Sequence, residues 1–270
     1  MAQDGRFQVS LFGTSAAFDV WADEVSATWP DRLSFHVHAA GQTARIRTRL
    51  VGAHWTPSVL AAIAAALRCG ASLEEAANAL REVQPVTARM QPVELPGGAT
   101  MLRDEFNGSL VSAGAALRVL ESARAPRKVI VFGCIYDGPG TSRDDVIHVA
   151  GKLGVVADVA VIVGSHSEAA CRAAIEAGMA PRNVHRVPSL PEVAKVLGRV
   201  IRPGDLVLLR GTWDWHLSRV YYALLGDVAC WKTDCTKPFT CDHCDELGFR
   251  PRQVGQRAPD RRLRPAAETA

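Results

Sequence analysis

Apolar and polar positions along the chain alternate in short blocks, most clearly between Thr100 and Gly138. There Thr100 to Leu102 reads as a strand, Arg103 to Ser109 as a polar turn, Leu110 to Ser122 as a helix, and Val129 to Phe132 as a buried strand. This is a βαβ unit. Its right-handed crossover puts both strands in one parallel sheet and opens Asp104 and Gly133-Cys134 onto one edge, where ligands of α/β sheets bind.

The same alternation continues downstream. Helices are expected over Ser142 to Leu153, Ser167 to Ala177, Leu190 to Val200 and Asp214 to Leu224, and strands over Val159 to Val163, Val184 to Val187 and Leu206 to Leu209. A hairpin is expected where Val93 to Leu95 and Thr100 to Leu102 flank Pro96-Gly97-Gly98. Upstream, Gln8 to Phe12, Leu33 to His38 and Ala44 to Leu50 read as strands of a meander. Thr56-Pro57 opens a helix that Gly70 closes, and Ser72 with Glu75 forms a capping box for a second helix ending near Val83. Residues 84–89 carry a proline and no regular pattern, which marks a junction. The expected fold class is α/β. Residues 1–85 form a partial α/β unit, 86–225 a doubly wound, mostly parallel domain with its core in Val129 to Phe132, Val159 to Val163 and Leu206 to Leu209, and 226–270 a Cys- and Arg-rich tail.

Composition narrows the class. The 270 residues are 48% hydrophobic and 22% charged, as in a globular protein, and no apolar run is long enough to span a membrane. The N-terminus has no signal-peptide pattern, so a cytoplasmic setting is expected. Net charge is +3 with much of the arginine beyond Gly248, which leaves the folded part near neutral and makes nucleic acid an unlikely partner.

Several segments in order, GAHWTPSVLAAIAAALRCGAS, VTARMQPVE, MLRDEFNGSLVSAGAAL, VIVFGCIYDG and LVLLRGTWD, resemble the second half of a Mur ligase of the MurF type. The resemblance runs from about Phe12 to Leu224. It implies the end of a central ATPase domain, followed by a Rossmann-like C-terminal domain. The chemistry it implies is ATP- and Mg²⁺-dependent joining of a carboxylate to an amino acid or peptide amine through an acyl phosphate, with positioning and charge neutralisation as the protein's contribution. Yet no G-x-x-x-x-G-K-[ST] occurs in the chain. By the resemblance, the phosphate loop and the Mg²⁺ ligands would lie upstream of Met1, in a missing half or a separate ATP-binding chain. The chain alone is then not expected to use ATP.

The resemblance places Arg89, Asp104, His54 and Asn107 at the nucleotide, and Asp137, Arg210, Thr212 and Trp213 at the substrate. Each also has an ordinary reading: a linker arginine, a turn-capping aspartate, a structural histidine, a turn-forming asparagine. Departures from the family pattern fall at Gly52 to Ser58, which lacks both family asparagines, at Gly133 to Pro139, and at Arg210-Gly211-Thr212-Trp213. The alternative is a non-catalytic binding or scaffold protein that retains the fold.

Independently of the family, Cys230, Cys235, Cys241 and Cys244 supply four thiols within fifteen residues. Soft ligands at this density suit Zn²⁺ or an iron–sulfur cluster; the alternative is a set of reduced cysteines in a flexible tail. Arg250 to Pro265 reads as a solvated, disordered end.

Overall fold

The computed structural model describes residues 9–133, 135, 142–237 and 240–251. The first part is a four-stranded sheet in the order β1 (Phe12–Gly13), β2 (Val20–Ser26), β3 (Ser34–Ala39) and β4 (Gln42–Arg47), covered by α1 (Thr56–Arg68) and α2 (Leu73–Glu82). Strand β3 buries Phe35, Val37 and Ala39 on one face, and these pack against Leu60 and Ile63 of α1. Helix α2 begins with the expected capping box: Ser72 Oγ accepts from the Glu75 amide at 3.1 Å while the Ser72 amide donates to Glu75 Oε2 at 2.8 Å.

Two expectations for this part are corrected. The first strand is only two residues long and lies parallel to its neighbour, and β2 was not anticipated at all. Strand β2 points only Val20 and Ala22 inward before Asp23 and Glu24 interrupt it, with Glu24 in the left-handed region at φ 48°. So short an alternation carries little periodic signal.

After Glu82 the chain runs through residues 83–90 without regular structure and enters a six-stranded sheet ordered β5 (Gln91–Leu95), β6 (Ala99–Asp104), β10 (Leu206–Arg210), β7 (Lys128–Phe132), β8 (Val159–Val163), β9 (Val184–Val187). Only β5 is antiparallel, as the hairpin across Gly97-Gly98 requires. Strands β7, β8 and β10 are buried almost end to end, the signature of a parallel sheet covered on both faces. One face carries α3 (Leu110–Ser122), α4 (Arg143–Val156) and α5 (Ser167–Glu176); the other carries α6 (Leu190–Val200) and α7 (Ser218–Leu225). Trp29, Val51 and Met90 join the core beneath α3, and the Arg124 amide donates to the Trp29 carbonyl at 2.9 Å, so the two parts are packed together.

The last helix starts later than expected. Trp213–Trp215 form a 3₁₀ turn, and His216, left-handed at φ 51°, breaks the chain before α7. Beyond α7 the polypeptide returns to the domain. β11 (Gly226–Asp227) pairs antiparallel with β12 (Arg250–Pro251), and the segment between folds back through two 3₁₀ turns, Cys241–His243 and Asp245–Leu247. The arginine-rich stretch after Pro251 lies outside the described residues. Among the described residues no helix is long and apolar enough to cross a membrane.

Candidate functional site

The site is built at the carboxyl edge of the large sheet. Strands β6 and β10 are neighbours with Arg210 opposite Asp104. Arg210 Nη1 donates to Asp104 Oδ2 at 2.8 Å, and its Nη2 reaches Ser112 Oγ at 2.6 Å at the start of α3. The Met90 amide donates to Asp104 Oδ1 at 3.1 Å. Burial pushes the Asp104 carboxyl up to about 7, against the opposing pull of Arg210, and burial likewise lowers Arg210. The pair forms a floor: Asp104 retains a little exposure, and Arg210 is sealed beneath it.

Above this floor lies a groove of about 330 Å³ between the start of α1 and the start of α3. Its lining includes His54, Ser58, Arg89, Asp104 and Asn107. All four residues expected at the nucleotide therefore meet in one place, although they come from three separate segments. Arg89 is presented by strained backbone. Ala88 and Met90, both buried, hold φ values of 58° and 50°, a region that costs a non-glycine residue about 1–2 kcal/mol each. Bonds from the Arg89 amide to Val86 O and from the Phe106 amide to Ala88 O hold this turn. They set the Arg89 guanidinium 4.6 Å from the Phe106 ring centroid. His54 is lowered by partial burial and then by the Arg118 and Arg210 guanidiniums, which favours its neutral form. Asn107 Oδ1 accepts from the Ser109 amide at 3.2 Å, an Asx turn leading into the Ser109 cap of α3.

A second groove of about 330 Å³ adjoins the first and is lined by Phe106, Asn107, Thr212, Trp213 and Asp214. Thr212 and Trp213, both expected at the substrate, are thus side by side here. Thr212 Oγ1 is buried without a hydrogen-bond partner, and Trp213 is 40% exposed. Arg210, grouped with them by the resemblance, instead faces Asp104 and α3, because its strand lies directly beside β6. Asp137 lies outside the described residues. Between the floor and this groove sits Gly211, where a Cβ would run into the fully buried Leu217 Cδ1. Gly211→Ala is expected to destabilise the fold by about 1–3 kcal/mol. Chemical denaturation measures it, and an unchanged midpoint would show that Leu217 yields freely.

The sequence reading missed a larger cavity of about 910 Å³ at the ends of β8 and β9, lined in part by Gly164, Ser167, Arg186, Pro188, Trp215 and Trp231. The helices that follow these two strands leave to opposite faces, which opens a crevice between them. The signal was present in the βαβ order, but only the strand order shows where the switch falls.

Also missed was the buried network that docks the tail. Arg103, 2% exposed, donates to Glu105 Oε1 at 2.8 Å and grips Asp242 with two nitrogens at 2.6 and 2.9 Å. Its guanidinium lies 4.6 Å from the Tyr221 ring centroid, and Tyr222 donates to Asp242 Oδ1 at 3.1 Å. Burial works against the charge on Arg103, but the two carboxylates outweigh it and raise its pKa.

The four tail cysteines also come together. All line one small cavity with His216, Arg219 and Lys237, and all are free thiols. Among the described residues, no three His, Cys, Asp or Glu side chains already stand as a metal-ligating group. The tight sulfur tetrahedron that the spacing suggested is therefore not formed: Lys237 Nζ sits 3.4 Å from Cys244 Sγ, and His216 Nδ1 3.5 Å from Cys241 Sγ.

Residues 88–212 match the family described as Mur ligase, glutamate ligase domain. The chain is 31% identical over 235 residues to the UDP-N-acetylmuramoyl-tripeptide--D-alanyl-D-alanine ligase of Mycobacterium tuberculosis, an alignment covering 78% of this chain and 46% of that protein. It is 28% identical over 225 residues to the UDP-N-acetylmuramoyl-L-alanyl-D-glutamate--2,6-diaminopimelate ligase of Geobacillus thermodenitrificans, covering 81% of this chain and 44% of that protein. The fold is shared with MurF from Acinetobacter baumannii, with a TM-score of 0.70 at 23% identity over 80% of this chain and 47% of that one. It is also shared with the MurF ligase of Thermotoga maritima solved in complex with ADP, with a TM-score of 0.65 at 15% identity over 80% of this chain and 48% of that one. The chain spans about half the length of the curated relatives it matches. With the parallel sheet, the βαβ edge and the matched segment in agreement, residues 88–212 belong to the Mur ligase family as its glutamate ligase domain.

Proposed function

We propose that this chain is the C-terminal part of a Mur-type amide ligase acting on a peptidoglycan precursor in the cytoplasm. It supplies one wall of an ATP site and the seat of the incoming amine, while the phosphate loop comes from sequence outside this chain or from a separate ATP-binding chain. The observation that carries this reading is the convergence of His54, Arg89, Asp104 and Asn107 on one groove. A neutral histidine and a strained, aromatic-backed arginine fit a nucleotide, with the Arg89 fork turned to phosphate oxygens. Mg²⁺ does not fit this groove by itself: its one lining carboxylate, Asp104, is already held by Arg210 and the Met90 amide. The metal's ligands then belong to the half that carries the phosphate loop.

The adjoining groove, with Thr212 and Trp213, receives the amine, an amino acid or a dipeptide of the kind named for the Mycobacterium tuberculosis relative. The carboxylate partner is delivered from the ATP side. Attack of the amine on an acyl phosphate needs little covalent help from this chain, whose work is to hold the two components in register. A scaffold role is the second reading. It is favoured by the loss of both family asparagines in Gly52 to Ser58.

Two measurements separate them. Titrating the purified chain with a fluorescent ATP analogue is expected to show weak binding that Arg89→Ala reduces about tenfold or more, the worth of a charged hydrogen bond. Phosphate release from ATP and Mg²⁺ is expected to stay at background for the chain alone. It should appear, dependent on amine, only when a phosphate-loop-bearing half is added. Binding indifferent to Arg89 would favour the scaffold, and turnover by the chain alone would overturn the division of labour proposed here.

A further inference from the structure

The tail cysteines take no part in the nucleotide groove, yet the fold organises them. Two separate segments, Cys230 to Cys235 and the Cys241–His243 turn ending at Cys244, form the walls of one cavity of about 10 Å³, room for a single water-sized particle. The segments are fixed against each other. The Ala229 amide donates to Leu247 O at 3.0 Å, Asp242 is gripped by Arg103, and β11 pairs with β12 behind them. None of the four thiols is spent in a disulfide.

Polar groups with unused capacity surround them. His216 Nε2 and Arg219 Nε are buried without partners, and each residue is about 97% or more buried, at 3% and 2% exposure. Arg219 also faces Cys241, and Lys237 meets Cys244. A buried cation such as Arg219 beside a thiol carries a cost unless the sulfur becomes anionic, whereas Lys237 is partly exposed and paired with Glu246.

We propose that Cys230, Cys235, Cys241 and Cys244 bind one soft divalent cation, Zn²⁺, at this cavity. Four thiolates and one Zn²⁺ carry a net charge of about −2; Arg219 is the buried cation placed to offset it, while Lys237, also beside the sulfurs, shares its charge with Glu246 at 3.0 Å. Each thiol loses its proton to solvent as its sulfur bonds the metal. Rotation of the cysteine side chains within the cavity, with withdrawal of Lys237 from Cys244, closes the tetrahedron. Space for a single particle selects one ion over a multi-iron cluster. The inference does not depend on the ligase reading, but it bears on the larger cavity. Trp231, Lys232 and Thr233 lie between the first two ligands and form part of that cavity's wall, so the metal would hold the wall in place.

The test is elemental analysis of the full chain produced in zinc-supplemented medium and dialysed. About one zinc per chain is expected. Cys241→Ser and Cys244→Ser should lose most of it, and Cys69→Ser with Cys171→Ser should keep it. If the tail variants do not fold, the wild-type protein still decides the matter. Treatment with a mercurial in the presence of a chromophoric chelator should release the same single equivalent, and cobalt loading should give the ligand-field spectrum of a tetrahedral thiolate site. Zinc-free protein whose four tail thiols titrate at once, a disulfide among them, or an iron–sulfur chromophore would each overturn the proposal.

Discussion

Arg103→Ala is expected to lower the stability of the protein by about 3–5 kcal/mol, the cost of removing one partner from a buried ionic network. Three charged groups meet at this point, and two are carboxylates: Glu105 at 1% exposure and Asp242 at 9% of its side chain. Without the guanidinium they face each other unpaired. Glu105 already has one buried oxygen, Oε2, without a partner, so no spare donor waits to take up the charge. The effect also has a direction in space. Asp242 belongs to the tail and Arg103 to β6, so the loss should be felt first as release of the segment around Asp242 from β6 and α7. Urea unfolding gives the first quantity, and the rate of proteolytic cutting between Val228 and Lys237 the second. A loss below about 1 kcal/mol with an uncut tail would mean that the Tyr222 contacts with Asp242 and Phe249, not the ion pairs, hold the tail in place.

Asp104 should impose a measurable pH dependence between about pH 4 and pH 7. Burial raises its folded pKa to about 7 from an ordinary 3.8, which means that the folded protein holds this proton more tightly than the unfolded chain does. The stability it contributes is therefore complete below about pH 4, is lost as pH rises towards 7, and is level above that. Asp104→Asn keeps an acceptor for the Met90 amide and for Arg210 but cannot titrate. Wild type minus Asn variant, followed by urea unfolding, should fall across that window by an amount on the order of a few kcal/mol, since one pKa unit corresponds to about 1.4 kcal/mol. The opposite slope, wild type gaining on the variant as pH rises, would mean that Arg210 keeps the carboxylate ionised and outweighs burial. Because Asp104 floors the groove it shares with His54, Arg89 and Asn107, its protonation also sets the negative charge that groove presents.

Much of this protein was legible in the order of its residues. Five buried residues in VAVIV and the run LVLLR announce strands covered on both faces, Ser72 and Glu75 cap α2 as their spacing dictates, and Leu110 to Ser122 is helical to the residue. These are local rules, satisfied by neighbours within a turn or a strand. Resemblance in the short segments around His54, Arg89, Asp104 and Asn107 also singled out four residues that the fold brings to one groove. What lay beyond reach was every feature whose partners are far apart in sequence. Strand β10 enters the sheet between β6 and β7, which turns Arg210 towards Asp104, 106 positions away, and parts it from Thr212 and Trp213. The tail, singled out in the sequence only for its cysteines and its arginine-rich end, is held by an ion pair spanning 139 positions. Hydrophobic periodicity reports which face of an element is buried but not what it is buried against, so a charged residue such as Arg103 reads as a turn until the tertiary structure brings its carboxylates to it.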